Sequence, residues 1–174
     1  MSKEASAMKT YKGVTLIEIL LGLAIIAFII IGAITFYNSA NNNSRLNAAR
    51  AQVQGIISGV ESLYQTRSDY AGLNTQLAID ADLVPANLVA GGAIENPWSG
   101  EYQLVGNGGT YDLTITNLPE GGCAGLATQG LLDEPNVTNM NVNGTDYTDP
   151  VAATPGAVAG DCAGGGATIV YTIE

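Results

Sequence analysis

From Ile19 to Ile34 no side chain carries a charge or a hydrogen-bonding group, and the apolar character runs on through Phe36 and Tyr37. About 20 such residues cross a bilayer core as a helix, so Val14–Tyr37 is long enough to span. A helix apolar all round is either a membrane span or the buried core helix of a soluble protein, and with so little polarity on any side the span is the expectation here. Lys3, Lys9 and Lys12 precede it, and NSANNNS follows it. That asymmetry places the N-terminus in the cytoplasm and the bulk of the chain on the far side. One acid, Glu18, stands near the start of the run. A lone charge at the centre of a bilayer helix costs about 2.5–3.5 kcal/mol on insertion scales, and less near an end.

The leader MSKEASAMKTYKG is short and basic. A secretory signal peptide places a small-residue cleavage site after its apolar stretch. No convincing site follows here, so any cut is expected before the apolar run.

Past Tyr37 the pattern changes from apolar all round to amphipathic. Leu46, Ala49, Val53, Ile56, Ile57, Val60, Leu63 and Tyr64 recur at steps of three and four, with Asn47, Gln52, Gln54, Ser58 and Glu61 between them. The spacing predicts one apolar stripe on a helix. Val14 to about Thr66 therefore reads as a single helix of roughly 80 Å at 1.5 Å per residue. Gly22, Gly32, Gly55, Gly59 and the run Asn41–Asn43 are its weak points.

The remainder is richer in Gly, Asn, Asp and Thr. Thr75–Asp82 reads as a short helix with Leu77 facing inward. Asn96-Pro97-Trp98-Ser99-Gly100 is a turn. Glu101–Val105 and Tyr111–Asn117 flank a glycine-rich link and read as a hairpin. Pro119 opens a short helix through Cys123 to about Gln129. Residues 130–167 read as ordered loop with little core of its own. Ala167–Ile173 reads as a final strand from its β-branched residues.

Net charge is -10, and no Lys or Arg follows Arg67. Such a surface repels phosphate, which disfavours nucleic-acid binding. The chain has no His, so neither a histidine triad nor a histidine–metal site is available. The glycine runs at 106–109 and 164–166 lack a following lysine, so they do not read as phosphate cradles. No cofactor or metal is expected, and nothing reads as an enzyme. Asp146 and Asp149 read as turn acids, with calcium ligation the alternative. Asn136 and Asn143 match the glycosylation acceptor pattern. The two cysteines, Cys123 and Cys162, are an even pair behind an export-like start. They are expected to form one disulfide, worth roughly 3–4 kcal/mol in the chain-entropy model; two buried thiols are the alternative.

The junction Gly13-Val14-Thr15-Leu16-Ile17-Glu18, with its basic leader and apolar helix, resembles the class III signal of type IV pilins. The leader length, the Asn-Pro-aromatic turn and the cysteine after Leu118-Pro119 resemble the type IVb branch. Val14 stands where Phe or Met is common in the family, and the helix lacks the proline usual in the type IVa branch. The resemblance implies an α+β pilin fold: a long N-terminal helix on a small antiparallel sheet, with a disulfide-bounded C-terminal region. It implies a leader of residues 1–13, a membrane or filament-core segment 14–37, an amphipathic half 38–67 and a globular head 68–174. It further implies cleavage by a prepilin peptidase between Gly13 and Val14, followed by N-methylation of Val14.

Apolar packing alone leaves the axial register of identical helices poorly defined, and one buried polar partner can select it. The expected partner of Glu18 is the new α-amine of Val14 on a neighbouring copy. The implied function is the major subunit of a type IV pilus, a helical homopolymer. It would wait in the inner membrane and then reach the cell surface, driven by a platform protein and an assembly ATPase. A pseudopilin or minor pilin is the alternative within that machinery. A single-span protein presenting a periplasmic binding domain is the alternative outside it.

Overall fold

The structure, a computed structural model, describes residues 13–67, 69–128, 131 and 134–174. Residues 1–12 of the expected leader, and Gln129 at the expected end of the second short helix, lie outside the described residues. The chain divides into two compact units, one ending at Ala40 and the other Asn41–Glu174.

Helix α1 spans Leu16–Tyr64, close to the expected limits. In the first unit its side chains are exposed almost without exception. The hydroxyl of Thr35 donates to the Ile31 carbonyl at 2.9 Å, which satisfies that polar group within the helix itself. The helix runs unbroken through Asn41–Asn43. Once a helix is nucleated, an unfavourable residue costs well under ~1 kcal/mol, too little to break a segment held by long flanks.

In the second unit Leu46, Ala49, Val53, Ile56, Val60 and Tyr64 are buried. They are six of the eight residues of the predicted stripe. Ile57 is half-buried and Leu63 is exposed, so the stripe is narrower than the full set. This face packs into one core with the inner face of a seven-stranded sheet.

The strands are β1 Val89–Ala90, β2 Ala93–Glu95, β3 Glu101–Gly106, β4 Tyr111–Leu118, β5 Val137–Val142, β6 Thr145–Tyr147 and β7 Ala167–Ile173. Their order is β1-β2-β3-β4-β7-β5-β6, antiparallel throughout. The final strand is therefore central, paired with β4 on one side and β5 on the other. Burial alternates along β7 and most of β4, the period of a sheet with one face on the core. Tyr102 of β3 reaches α1, where its hydroxyl donates to Gln52 Oε1 at 2.9 Å.

Two readings need correction. In α2, Thr75–Asp80, the inward residue is Ala78, while Leu77 is only half-buried. Asn74 caps this helix and defines its rotation, its Oδ1 accepting from the Leu77 amide at 2.9 Å. More substantially, the region 130–167 is not loop. It contains β5, β6 and helix α4, Pro155–Asp161. It also carries core of its own, with Met140, Val142 and Val158 fully buried. Asn143-Gly144 joins β5 to β6 with φ of 48° and 98°, the left-handed pair that a two-residue hairpin requires.

The turn before β3 is built around Asn96, a buried polar side chain. Its Oδ1 accepts from the Trp98 and Gly100 amides, and its Nδ2 donates to the Thr116 carbonyl. Gly100 is required there because a Cβ would lie 2.0 Å from the Thr116 oxygen.

Candidate functional site

The residues expected to act in processing and assembly lie at the start of α1. Gly13, Val14 and Thr15 precede the helix without regular structure, and all three are exposed. The Thr15 carbonyl accepts the amides of Glu18 and Ile19 at 3.0 and 3.2 Å and so opens the first turn. Glu18 sits in that turn, where the helix dipole favours a carboxylate. Thr15-Leu16-Ile17-Glu18 also has the spacing of a capping box, a second local reason for an acid at this position.

From Val14 to Tyr37, sixteen large apolar or aromatic side chains are more than half exposed. At about 1.5–3 kcal/mol for each such side chain, leaving them in water rather than apolar surroundings costs on the order of 30 kcal/mol. That exceeds the whole stability of a typical domain, about 5–15 kcal/mol. The segment therefore needs lipid or other protein around it. It is long and apolar enough to cross a membrane.

Cys123 and Cys162 are joined in a disulfide, with Cα atoms 5.7 Å apart, and both are fully buried. Cys123 lies in helix α3, Glu120–Thr128, and Cys162 caps the C-terminus of α4. The bridge thus holds two helices together just before β7 enters the centre of the sheet. The pairing makes the free-thiol alternative wrong.

Asp146 lies in β6, where its Oδ1 accepts from Asn139 and Asn141 at 3.1 and 2.8 Å. The Asn141 bond, then the Asn139 bond, lowers its pKa below the usual carboxylate range. Asp149 Oδ1 accepts the Val151 amide at 2.8 Å. Among the described residues no group of three His, Cys, Asp or Glu is placed to hold a metal. Asn136 donates to Glu61, and Asn143 bridges the Asp161 carbonyl and the Thr168 amide.

The sequence marks the Asn96–Gly100 turn but not the buried hydrogen bonds of the Asn96 side chain, nor the pair Tyr147–Asp161. The tyrosine hydroxyl donates to Asp161 Oδ2 at 2.5 Å, fastening β6 to the end of α4. The Asn96-to-Gly100 spacing carried a signal for the first, whereas nothing local marks the second.

The family described as "PilS N terminal" matches residues 43–174, and the "Prokaryotic N-terminal methylation motif" matches residues 8–34. Relatives in Escherichia coli O111:H- and in Escherichia coli O127:H6 (strain E2348/69 / EPEC) are each described as the major structural subunit of bundle-forming pilus. Each is 28% identical over 171 residues, which cover 88% of this chain and 89% of the relative. The fold is that of a type IV b pilin from Salmonella typhi, at TM-score 0.56 and 18% identity over 72% of this chain and 97% of that one. It is likewise that of TcpA, a type IV pilin from Vibrio cholerae El Tor biotype, at TM-score 0.54 and 16% identity over 75% and 99%. The chain belongs to the type IV pilin family.

Proposed function

We propose that this chain is the major subunit of a type IV pilus, a structural protein that polymerises through its N-terminal helix. The observation that carries the reading is the pairing of a methylation motif with a helical segment of uncovered apolar side chains. The bundle-forming pilus relatives support the major-subunit role over the pseudopilin, minor-pilin and binding-domain alternatives. Being a filament subunit, it has a structural rather than a catalytic role.

The leader, residues 1–13, stays in the cytoplasm with its lysines while α1 inserts from Val14. Prepilin peptidase cuts between Gly13 and Val14, in the exposed segment ahead of the helix, and Val14 is N-methylated. The new amine has an unperturbed pKa near 7.7–8.0 and is largely protonated at neutral pH. Glu18 of one subunit pairs with that amine on the next. Each charge offsets part of the cost of burying the other; the pair need not be net stabilising against an apolar contact, and its value is that it selects one axial register. Within a single chain the same two groups lie four residues apart, close enough to interact before assembly. A membrane platform and a cytoplasmic ATPase then draw the apolar segment from lipid into the filament core, and the heads become the outer surface.

N-terminal sequencing of filaments sheared from cells tests this reading. The expected result is a mature chain beginning with N-methylated Val14 and an unprocessed chain when Gly13 is replaced. A full-length, unassembled chain in a cell with working assembly machinery refutes it.

A further inference from the structure

The mature subunit would lose all three lysines with its leader, leaving Arg45, Arg50 and Arg67 as its side-chain cations. Heads this acidic repel one another when packed side by side, so the placement of those three charges matters. Arg67 stacks over the Tyr64 ring, 5.8 Å from its centre. Arg50 has an interaction within its own subunit. Arg45 lies exposed on α1, and among the described residues it has no ion pair. Its exposed neighbours three and four residues away on the helix are Asn41, Asn42 and Ala48, two amides and one methyl.

Further along α1, two open cavities of about 500 and 330 Å³ share Ser58, Glu61 and Asn136, and together form one groove. Glu134 and Glu174 add further carboxylates to its walls, against one cation, Arg67, at the end that Tyr64 and Tyr70 also line. Glu61 Oε1 accepts from Asn136 Nδ2 at 2.7 Å, which holds the carboxylate in place. Tyr70, which lines the groove, packs against Tyr111 with ring centres 4.7 Å apart and planes tilted by 55°, and the buried Tyr111 hydroxyl has no hydrogen-bond partner among the described residues. The charge of Glu61 reaches both tyrosines and raises their pKa values, after burial as the larger cause.

We propose that the polar stretch of α1 around Arg45 in one subunit docks into this groove of another, with the Arg45 guanidinium on the Glu61 carboxylate. The groove's serine and amide walls match the asparagine-rich surface beside Arg45. Arginine is suited to the role because its planar donors meet a carboxylate two at a time. Arg45 and Glu61 are sixteen residues apart on one helix. Two parallel copies of α1 joined by this pair are therefore offset by about 24 Å along the axis. The Glu18–Val14 contact, four residues apart, offsets its own pair by only about 6 Å. The two contacts thus join different neighbours, and Arg45–Glu61 is a second, longer-range register mark on the head. This inference rests on the proposed homopolymer.

The test is charge exchange in full-length subunits, read as sheared filament per cell. Arg45→Glu and Glu61→Arg should each lower recovery about tenfold, the loss of one charge pair at an interface. The double exchange should restore it. Subunits carrying Arg45→Cys and others carrying Glu61→Cys, co-expressed with excess wild-type chain, should give a cross-linked dimer with a short bis-maleimide only when both are present. Wild-type recovery from Arg45→Glu overturns the contact, as does an unrestored double exchange or a missing dimer. If the wild-type chain itself forms no filament, the failure lies with the pilus reading and not with this contact.

Discussion

Replacing both Cys123 and Cys162 with alanine isolates what the bridge does for the head. The bonded residues are 39 apart in sequence. Closing a loop of that length removes unfolded-state entropy worth about 4 kcal/mol at 25 °C in the chain-entropy model. Both side chains are fully buried, and alanine introduces no hydroxyl that would need a partner. Lost packing around the sulfur atoms adds to the destabilisation. Trp98 is the single tryptophan, and it packs against Gly122, where an added Cβ would lie 2.9 Å from the indole. Its fluorescence therefore reports on α3 next to the bridge. Urea titration of the full chain in detergent is the assay. At an m-value of about 2 kcal/mol/M, a 4 kcal/mol loss lowers the midpoint by roughly 2 M. Wild-type chain unfolded in reductant should behave like the double variant. A midpoint shift under ~0.5 M refutes the argument that chain connectivity, rather than the apolar core alone, holds α3 and α4 in place.

Ile56→Ala deletes a fully buried side chain of α1 and should cost about 3 kcal/mol. By contrast, Leu63→Ala, on the exposed side of the same helix, should cost less than ~1 kcal/mol by the same titration. The hydrogen bond to Asp161, with burial second, pushes Tyr147 up to about 12. Its folded pKa is raised above the unfolded value near 10, so its contribution is complete below pH ~10 and disappears as pH rises toward ~12. Tyr147→Phe should lose less stability than wild type between pH 9 and 11, and an identical slope in the two proteins would count against the bond. Glu18→Ala should insert into the membrane normally yet yield few filaments by shearing and electron microscopy; normal filaments made of that variant alone would remove Glu18 from assembly.

The long helix was legible in the sequence because its signals are local and repeated. An uninterrupted apolar run, followed by a stripe at steps of three and four, specifies a helix whatever it packs against. The junction Gly13–Glu18 was equally legible, since its residues act as neighbours along the chain. The hairpin β3–β4 and the strand β7 also carried their own propensities, although nothing in ATIVYTI shows that it is central. That position comes from pairing with β4 and β5, strands that begin tens of residues earlier.

Across residues 130–167 the Gly, Asn, Asp and Pro content points to loop and masks two local signals. Asn143-Gly144 between alternating apolar residues marks a hairpin, and Thr154-Pro155 marks a helix start. In α2, composition leaves the rotation open, and the Asn74 cap and the neighbouring core put Ala78 inside instead of Leu77. The sequence by itself determined the helix, its apolar half, its acid and the presence of a cysteine pair, because each depends on residues near one another in the chain. Only the tertiary structure decided which strand lies at the centre, which two helices the disulfide joins and which residues of α2 and the α1 stripe face the core. Those outcomes depend on which distant surfaces meet, and burial against such surfaces outweighs local preference.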